Sequence, residues 1–299
     1  MLNEYLKHVD ERKSQNLPPK PLEKTQVEDL IALVEAPPEG QEDLSRDLVM
    51  NRIPPGVDPA ALVKAELLES IAMGRIQTPL FTAEQAVALL GTMLGGYNVR
   101  PLLSFLEIPE LAPAAVKALS NTLLVLDSLK DIIALSKTNP FAAEVLDNWA
   151  QATWFTGRRP LPETLTLTVF KVDGEINTDD LSPASEAWSR PDIPLHALSM
   201  LKKRMENPLE TLAELRKKGH PIAFVGDVVG TGSSRKSGTN SVLWHVGEDI
   251  PFVPNKRQGG VVIGGKIAQI YFNTLKNAGG LTIECDVTGF KTGDVITIH

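Results

Sequence analysis

Gly226-Asp227-Val228-Val229-Gly230-Thr231-Gly232-Ser233-Ser234-Arg235-Lys236-Ser237 is the stretch on which the reading of the fold turns. The apolar run Ile222 to Val225 leads into it, and Asn240 to Val246 follows with helix-compatible residues. The pattern predicts a strand that ends in a glycine-rich turn and passes into a helix. Glycine lets backbone N–H groups approach a ligand closely, and a helix start favours negative charge. Arg235 adds a planar fork suited to a carboxylate or phosphate. The turn therefore reads as a cradle for a small anion, set against the plainer reading of a strand-to-helix turn capped by serine and threonine. Nucleotide motifs do not fit it. A P-loop needs glycine immediately before its lysine, where Arg235 stands, and a dinucleotide fingerprint needs glycine where Arg235 follows Gly232.

Outward from the turn, the sequence on either side of it follows two different patterns. Residues 1 to about 157 read as helix after helix. Val27, Leu30, Ile31 and Val34 share one helical face, with Thr25 and Glu28 as a capping-box pair in front. Asp58-Pro59 opens a helix carrying Val63, Leu67 and Ile71, and Thr82 with Gln85 opens the next, which Gly95-Gly96 is expected to end. Short helices joined by Pro/Gly turns predict an all-α solenoid of stacked helical pairs over 1–157. After a linker at Thr156 to Pro162 come strands at Thr164–Val172, Ala223–Val229 and Val261–Gly264, with helices near Leu195–Glu206 and Pro208–Lys218. Leu281, Ile283, Cys285 and Val287 alternate with polar residues, predicting a half-buried strand with Cys285 facing inward. Residues 158–299 thus read as an α/β domain. The chain stops at Asp294–His299 inside a strand pattern, so the domain is expected to be truncated at its C-terminus.

Composition narrows the function. The chain has 299 residues, 42% of them hydrophobic and 22% charged, with a net charge of −7. The acidic balance argues against nucleic acid as the main partner, and no apolar stretch reaches the length of a membrane span. One cysteine fits a cytoplasmic location and cannot by itself supply the thiolates of an iron–sulfur cluster. His8, His196, His220 and His245 show no metal-ligand spacing and read as structural.

A second polar segment, Gly174-Glu175-Ile176-Asn177-Thr178-Asp179-Asp180-Leu181-Ser182-Pro183, leads on to Ser189-Arg190 and looks too irregular for helix or strand. Taken with Gly230-Thr231-Gly232-Ser233-Ser234-Arg235, it resembles the swivel domain of the aconitase superfamily, most closely the bacterial B branch. The likeness extends to Asn255-Lys256-Arg257 and Gly264-Gly265-Lys266-Ile267-Ala268. That branch also carries a HEAT-like domain before the swivel domain, whereas other aconitases place the swivel last and have Arg-Glu-His where Arg235-Lys236-Ser237 stands here.

The resemblance implies a lyase that interconverts citrate and isocitrate through cis-aconitate, with 2-methyl-cis-aconitate a further substrate of the branch. It gives Ser233 the role of base, Ser234, Arg235 and Arg190 the role of substrate-carboxylate ligands alongside Ser233, and Asp179 that of an acid orienting a partner from another domain. It implies a [4Fe-4S] cluster ligated by residues not present in this chain, so the chain alone is expected to be inactive. A homodimer through the helical domain is also implied. RNA binding, known for cluster-free forms of some relatives, is a weaker implication, because Lys202-Lys203-Arg204 and Arg216-Lys217-Lys218 read as solvated helix faces.

Overall fold

The helices of the first half follow from their caps and apolar spacing. Asp58 accepts the Ala60 N–H at 2.9 Å and Pro59 occupies the first turn, opening the helix Pro59–Ala72. Its Val63, Leu67 and Ile71 are buried, and it packs against the helices Lys24–Glu35 and Ala83–Leu90. Thr82 and Gln85 form the expected capping box. The helix they open stops at Leu90, so Gly95 and Gly96 turn the chain beyond it instead of ending it. The cap before Val27 also differs: Glu23 precedes the helix, and Gln26 accepts its N–H at 2.9 Å. Further helices run over Val99–Phe105, Ala112–Ser120, Ser128–Leu135 and Pro140–Ala150.

The computed structural model describes residues 1–299 except 158, 159 and 161, so the linker at Thr156–Pro162 lies partly outside the described residues. Packing divides the chain into two units. Met1–His8, Lys20–Pro160 and Pro251–Pro254 make the first; Val9–Pro19, Leu161–Ile250 and Asn255–His299 make the second. The early segment Val9–Pro19 thus belongs to the second unit. Arg12 Nη1 there lies 2.9 Å from Asp192 Oδ2, and its Nη2 donates to Oδ1 at 3.0 Å.

The second unit is built on a mixed sheet. Its strands are β1 (Leu165–Asn177), β2 (Ile222–Thr231), β5 (Val261–Ile267), β6 (Leu281–Glu284) and β7 (Val295–Ile298), in the order β6-β5-β2-β1-β7. β3 (Glu248–Asp249) and β4 (Arg257–Gln258) pair separately. β1, β2, β5 and β6 are parallel, and β7 runs antiparallel along β1. Alternation divides the core between the two faces. Phe170, Val172, Phe224 and Val262 meet Leu212, Val242, Leu243, Tyr271 and Leu275 from the helices Pro208–Arg216, Arg235–Val246 and Gln269–Asn277. Leu167, Val169, Ala223, Val225 and Ile263 form the opposite face with Val287.

Two sequence expectations shift. The segment after Val172 is regular: β1 continues to Asn177 through a register shift near Gly174, and Thr178–Leu181 makes one helical turn. Cys285 is exposed, because β6 ends at Glu284 and the alternation outruns the pairing.

Candidate functional site

The site is assembled where two neighbouring strands end. Asn177 of β1 lies opposite Thr231 of β2, so both chains leave the sheet at the same edge. Loops at the carboxyl ends of parallel strands are where α/β folds commonly bind ligands.

The β1 side is fixed by its own polar side chains. The Asn177 side chain accepts the N–H groups of Asp179 and Asp180 at 2.8 and 2.9 Å, and Asp180 accepts the Asn177 N–H at 3.0 Å. Asp179 is exposed, and its Oδ1 accepts the Ala184 N–H at 2.7 Å.

The β2 side is fixed by two close approaches. Gly230 has φ +83, and a Cβ there would lie 2.1 Å from Cγ of buried Tyr271. Gly232 has φ +103, and its Cβ would lie 2.6 Å from Thr178 Oγ1. Only glycine meets both demands. Thr178, itself buried, accepts the Ser234 N–H at 3.1 Å, which ties one loop to the other. The helix Arg235–Val246 then begins, and its first intrahelical bond is Gly238 N–H to Ser234 O at 2.9 Å. The amides of its first turn have no intrahelical acceptors and make a favourable environment for an anion.

Arg190 joins the loops through its side chain. Nη2 donates to Ser234 Oγ at 3.2 Å and to Ser182 O at 3.4 Å. Its Nε is buried and has no hydrogen-bond partner among the described residues. An unmet buried donor costs about 1–3 kcal/mol, so this guanidinium is suited to receive an anion's oxygen. Ser233 stands exposed at the crest of the turn, and Arg235 is half-buried with Nη1 3.5 Å from Ser233 O. Arg190, Ser234 and the turn bearing Ser233 and Arg235 are therefore brought together. Asp179 sits on the adjoining turn, with its carboxylate engaged on Ala184.

Sequence reasoning missed several supporting residues. Thr178 carries no local signal of its role. His196, read simply as structural, is buried between Ser182 and Ser189, with Nε2 and Nδ1 each 2.8 Å from a serine Oγ. Burial first, and then the Arg190 charge, hold it below the ordinary histidine range. On the far side of the sheet end, Lys171 donates to Asp227 and the Gly174 N–H donates to the other carboxylate oxygen at 2.7 Å. The lysine bond, followed by that amide, keeps Asp227 below the usual carboxylate range.

Among the described residues, no group of three or more His, Cys, Asp or Glu is placed to hold a metal ion. The chain's one cysteine is exposed, so the residues present do not fit an iron–sulfur cluster, which takes several thiolates. No helix among the described residues is long and apolar enough to cross a membrane.

Comparison with known proteins covers both halves. Residues 4–155 match the family model described as the aconitate B N-terminal domain, and residues 167–299 match that of the aconitate hydratase 2 N-terminus. Proteins named aconitate hydratase B from Salmonella typhimurium and Escherichia coli are each 54% identical to the chain, and one from Synechocystis sp. is 55% identical. Each alignment takes in 100% of this chain and 35 or 36% of the relative, so the chain spans about a third of the length of the curated relatives it matches.

Proposed function

The chain belongs to the aconitate hydratase B family, and from that premise we propose that it supplies the base and the carboxylate clamp of an enzyme isomerising citrate and isocitrate through cis-aconitate. Hydration of 2-methyl-cis-aconitate is part of the same reading. The observation that carries it is the Arg190 side chain. It is bonded to Ser234, the residue that caps the helix Arg235–Val246, and its Nε has no partner among the described residues.

Removing a proton from carbon beside a carboxylate needs a base within hydrogen-bond reach. In this reading Ser233 is that base. Its alkoxide is stabilised by the amides of the glycine-rich turn, because an unaided serine is a poor base in water. Arg190 and Arg235 grip substrate carboxylates as forks, Ser234 contributes its hydroxyl, and Asp179 orients a group from another part of the enzyme. The [4Fe-4S] cluster implied by the family would be held by residues outside this chain. The chain by itself is then without hydratase activity.

Finer features belong to the same proposal. Residues 1–157 would be the HEAT-like domain and 158–299 the swivel domain, in a cytoplasmic enzyme. Exposed Leu124 and Leu126 in the helical unit support association of two copies. An RNA-binding role gains no support from the basic clusters. Arg204 donates to Asp173 O, Arg216 to His245 O and Lys217 to Glu214.

The test replaces the corresponding segment of the Escherichia coli relative with this chain and assays citrate–isocitrate interconversion. Ser233→Ala is expected to lower kcat by about 10² to 10⁴, and Arg190→Lys to lower kcat/KM, since an ammonium cannot form the fork. Rates equal to the unmodified chimera for both would remove these residues from the reaction.

A further inference from the structure

Behind the proposed clamp runs a continuous chain of hydrogen bonds, buried at His196 and partly buried at its serine end. Ser182 Oγ donates to Ser237 Oγ at 2.8 Å, and Ser237 Oγ donates to Ser234 O at 3.2 Å. Ser182 Oγ also lies 2.8 Å from His196 Nε2, so the imidazole is the next member of the chain.

At the other nitrogen, Ser189 Oγ lies 2.8 Å from both His196 Nδ1 and Glu186 O, and its own hydrogen goes to the carbonyl. The charged groups facing the ring are Arg190 and Glu186. His196 is only 2% exposed, and burial beside the Arg190 guanidinium disfavours a second positive charge.

The chain closes on itself. Ser189 is followed directly by Arg190, whose Nη2 reaches Ser234 Oγ, while Ser234 O receives the far end of the relay. Because Ser234 Oγ accepts the arginine's hydrogen, its own hydrogen is left to be given elsewhere. We propose that His196 is a positioning residue: through Ser182 and Ser237 it fixes Ser234, and through Ser189 it fixes Arg190, so that both carboxylate ligands stand at a set spacing before an anion arrives. This role rests on the carboxylate-binding reading of the site.

Citrate, titrated calorimetrically onto the 299-residue chain, is the probe, with ¹⁵N NMR of the imidazole as the independent readout. His196→Ala is expected to weaken citrate binding about tenfold, the effect of losing one well-made hydrogen bond. His196→Gln, whose amide still donates toward Ser182, is expected to recover most of the loss, which mere filling of space would not do. The NMR spectrum is expected to show a neutral ring in a single tautomer at pH 7. A mixture of tautomers, or unchanged affinity in His196→Ala with wild-type binding intact, overturns the positioning role alone. Wild-type protein that binds no citrate removes the clamp reading and this proposal with it.

Discussion

Replacing Gly230 with alanine puts the packing of the glycine-rich turn to a quantitative test. Two costs arise. The left-handed backbone at φ +83 costs an L-residue about 1–2 kcal/mol. The added methyl would lie 2.1 Å from Tyr271 Cγ and 2.2 Å from Cδ1, inside a ring that is fully buried, and overpacking of this kind costs about 1–3 kcal/mol. Gly219 provides the control within the same unit. Its φ is +80 and its Cβ would meet nothing within 4 Å. Gly219→Ala therefore carries the backbone cost alone, and any gain from a stiffer unfolded chain is common to both variants. Urea denaturation followed by a probe in the second unit should place Gly230→Ala about 1–3 kcal/mol below Gly219→Ala. Tyr271→Ala in the Gly230→Ala background should show favourable coupling, since the obstructing ring is gone. Equal stabilities for the two glycine variants would refute the claim that the turn lies directly on Tyr271.

Two further outcomes concern buried charge. Lys64 is 2% exposed, its ammonium donates to Met50 O at 3.3 Å, and burial pushes it down from 10.5 to about 8. Between those values the unfolded chain holds a proton the folded chain has released, so stability rises with pH by about 3 kcal/mol across that window. Lys64→Met should lack this rise in a denaturation series from pH 7 to 11, and parallel curves for the two proteins would show that Lys64 is not buried as described. Arg12→Ala strands the Asp192 carboxylate, which is 14% exposed, and should destabilise the second unit by about 3–5 kcal/mol. A melting temperature unchanged from wild type would rule out a buried pair there.

The strand, glycine turn and helix at 222–246 were legible because each follows from local chemistry: apolar residues, then glycines, then a helix-compatible run without proline. Asp58 and the Thr82–Gln85 pair were legible for the same reason. The Thr25–Glu28 cap was not, since Glu23 and Gln26 serve the same acceptor roles two residues earlier. Cys285 followed an alternation that the backbone abandons: β6 ends at Glu284, whose Oε1 turns to accept the Ile267 N–H at 2.7 Å. The helix expected over Leu195–Glu206 shortens to Ile193–Ala197. There Leu201 takes φ +61 and gives its N–H to Asp180 O at 2.8 Å, a tertiary bond that outweighs helical propensity. In the candidate site, the motif residues stood out by type and spacing. Thr178, Tyr271 and the His196 relay did not, because their roles depend on partners brought in from other elements.

The placement of Val9–Pro19 in the second unit has a consequence for biosynthesis. Arg12 and Asp192 are 180 positions apart, and Pro19 O waits for the Asn255 side chain, 236 positions later, to donate at 2.8 Å. At about 5–20 residues per second, the ribosome delivers Asp192 on the order of 10 s or more after Arg12. Until then Arg12, 5% exposed in the finished fold, is without the carboxylate that pairs with it, and slowing elongation would lengthen the period in which Val9–Pro19 is open to chaperones and proteases.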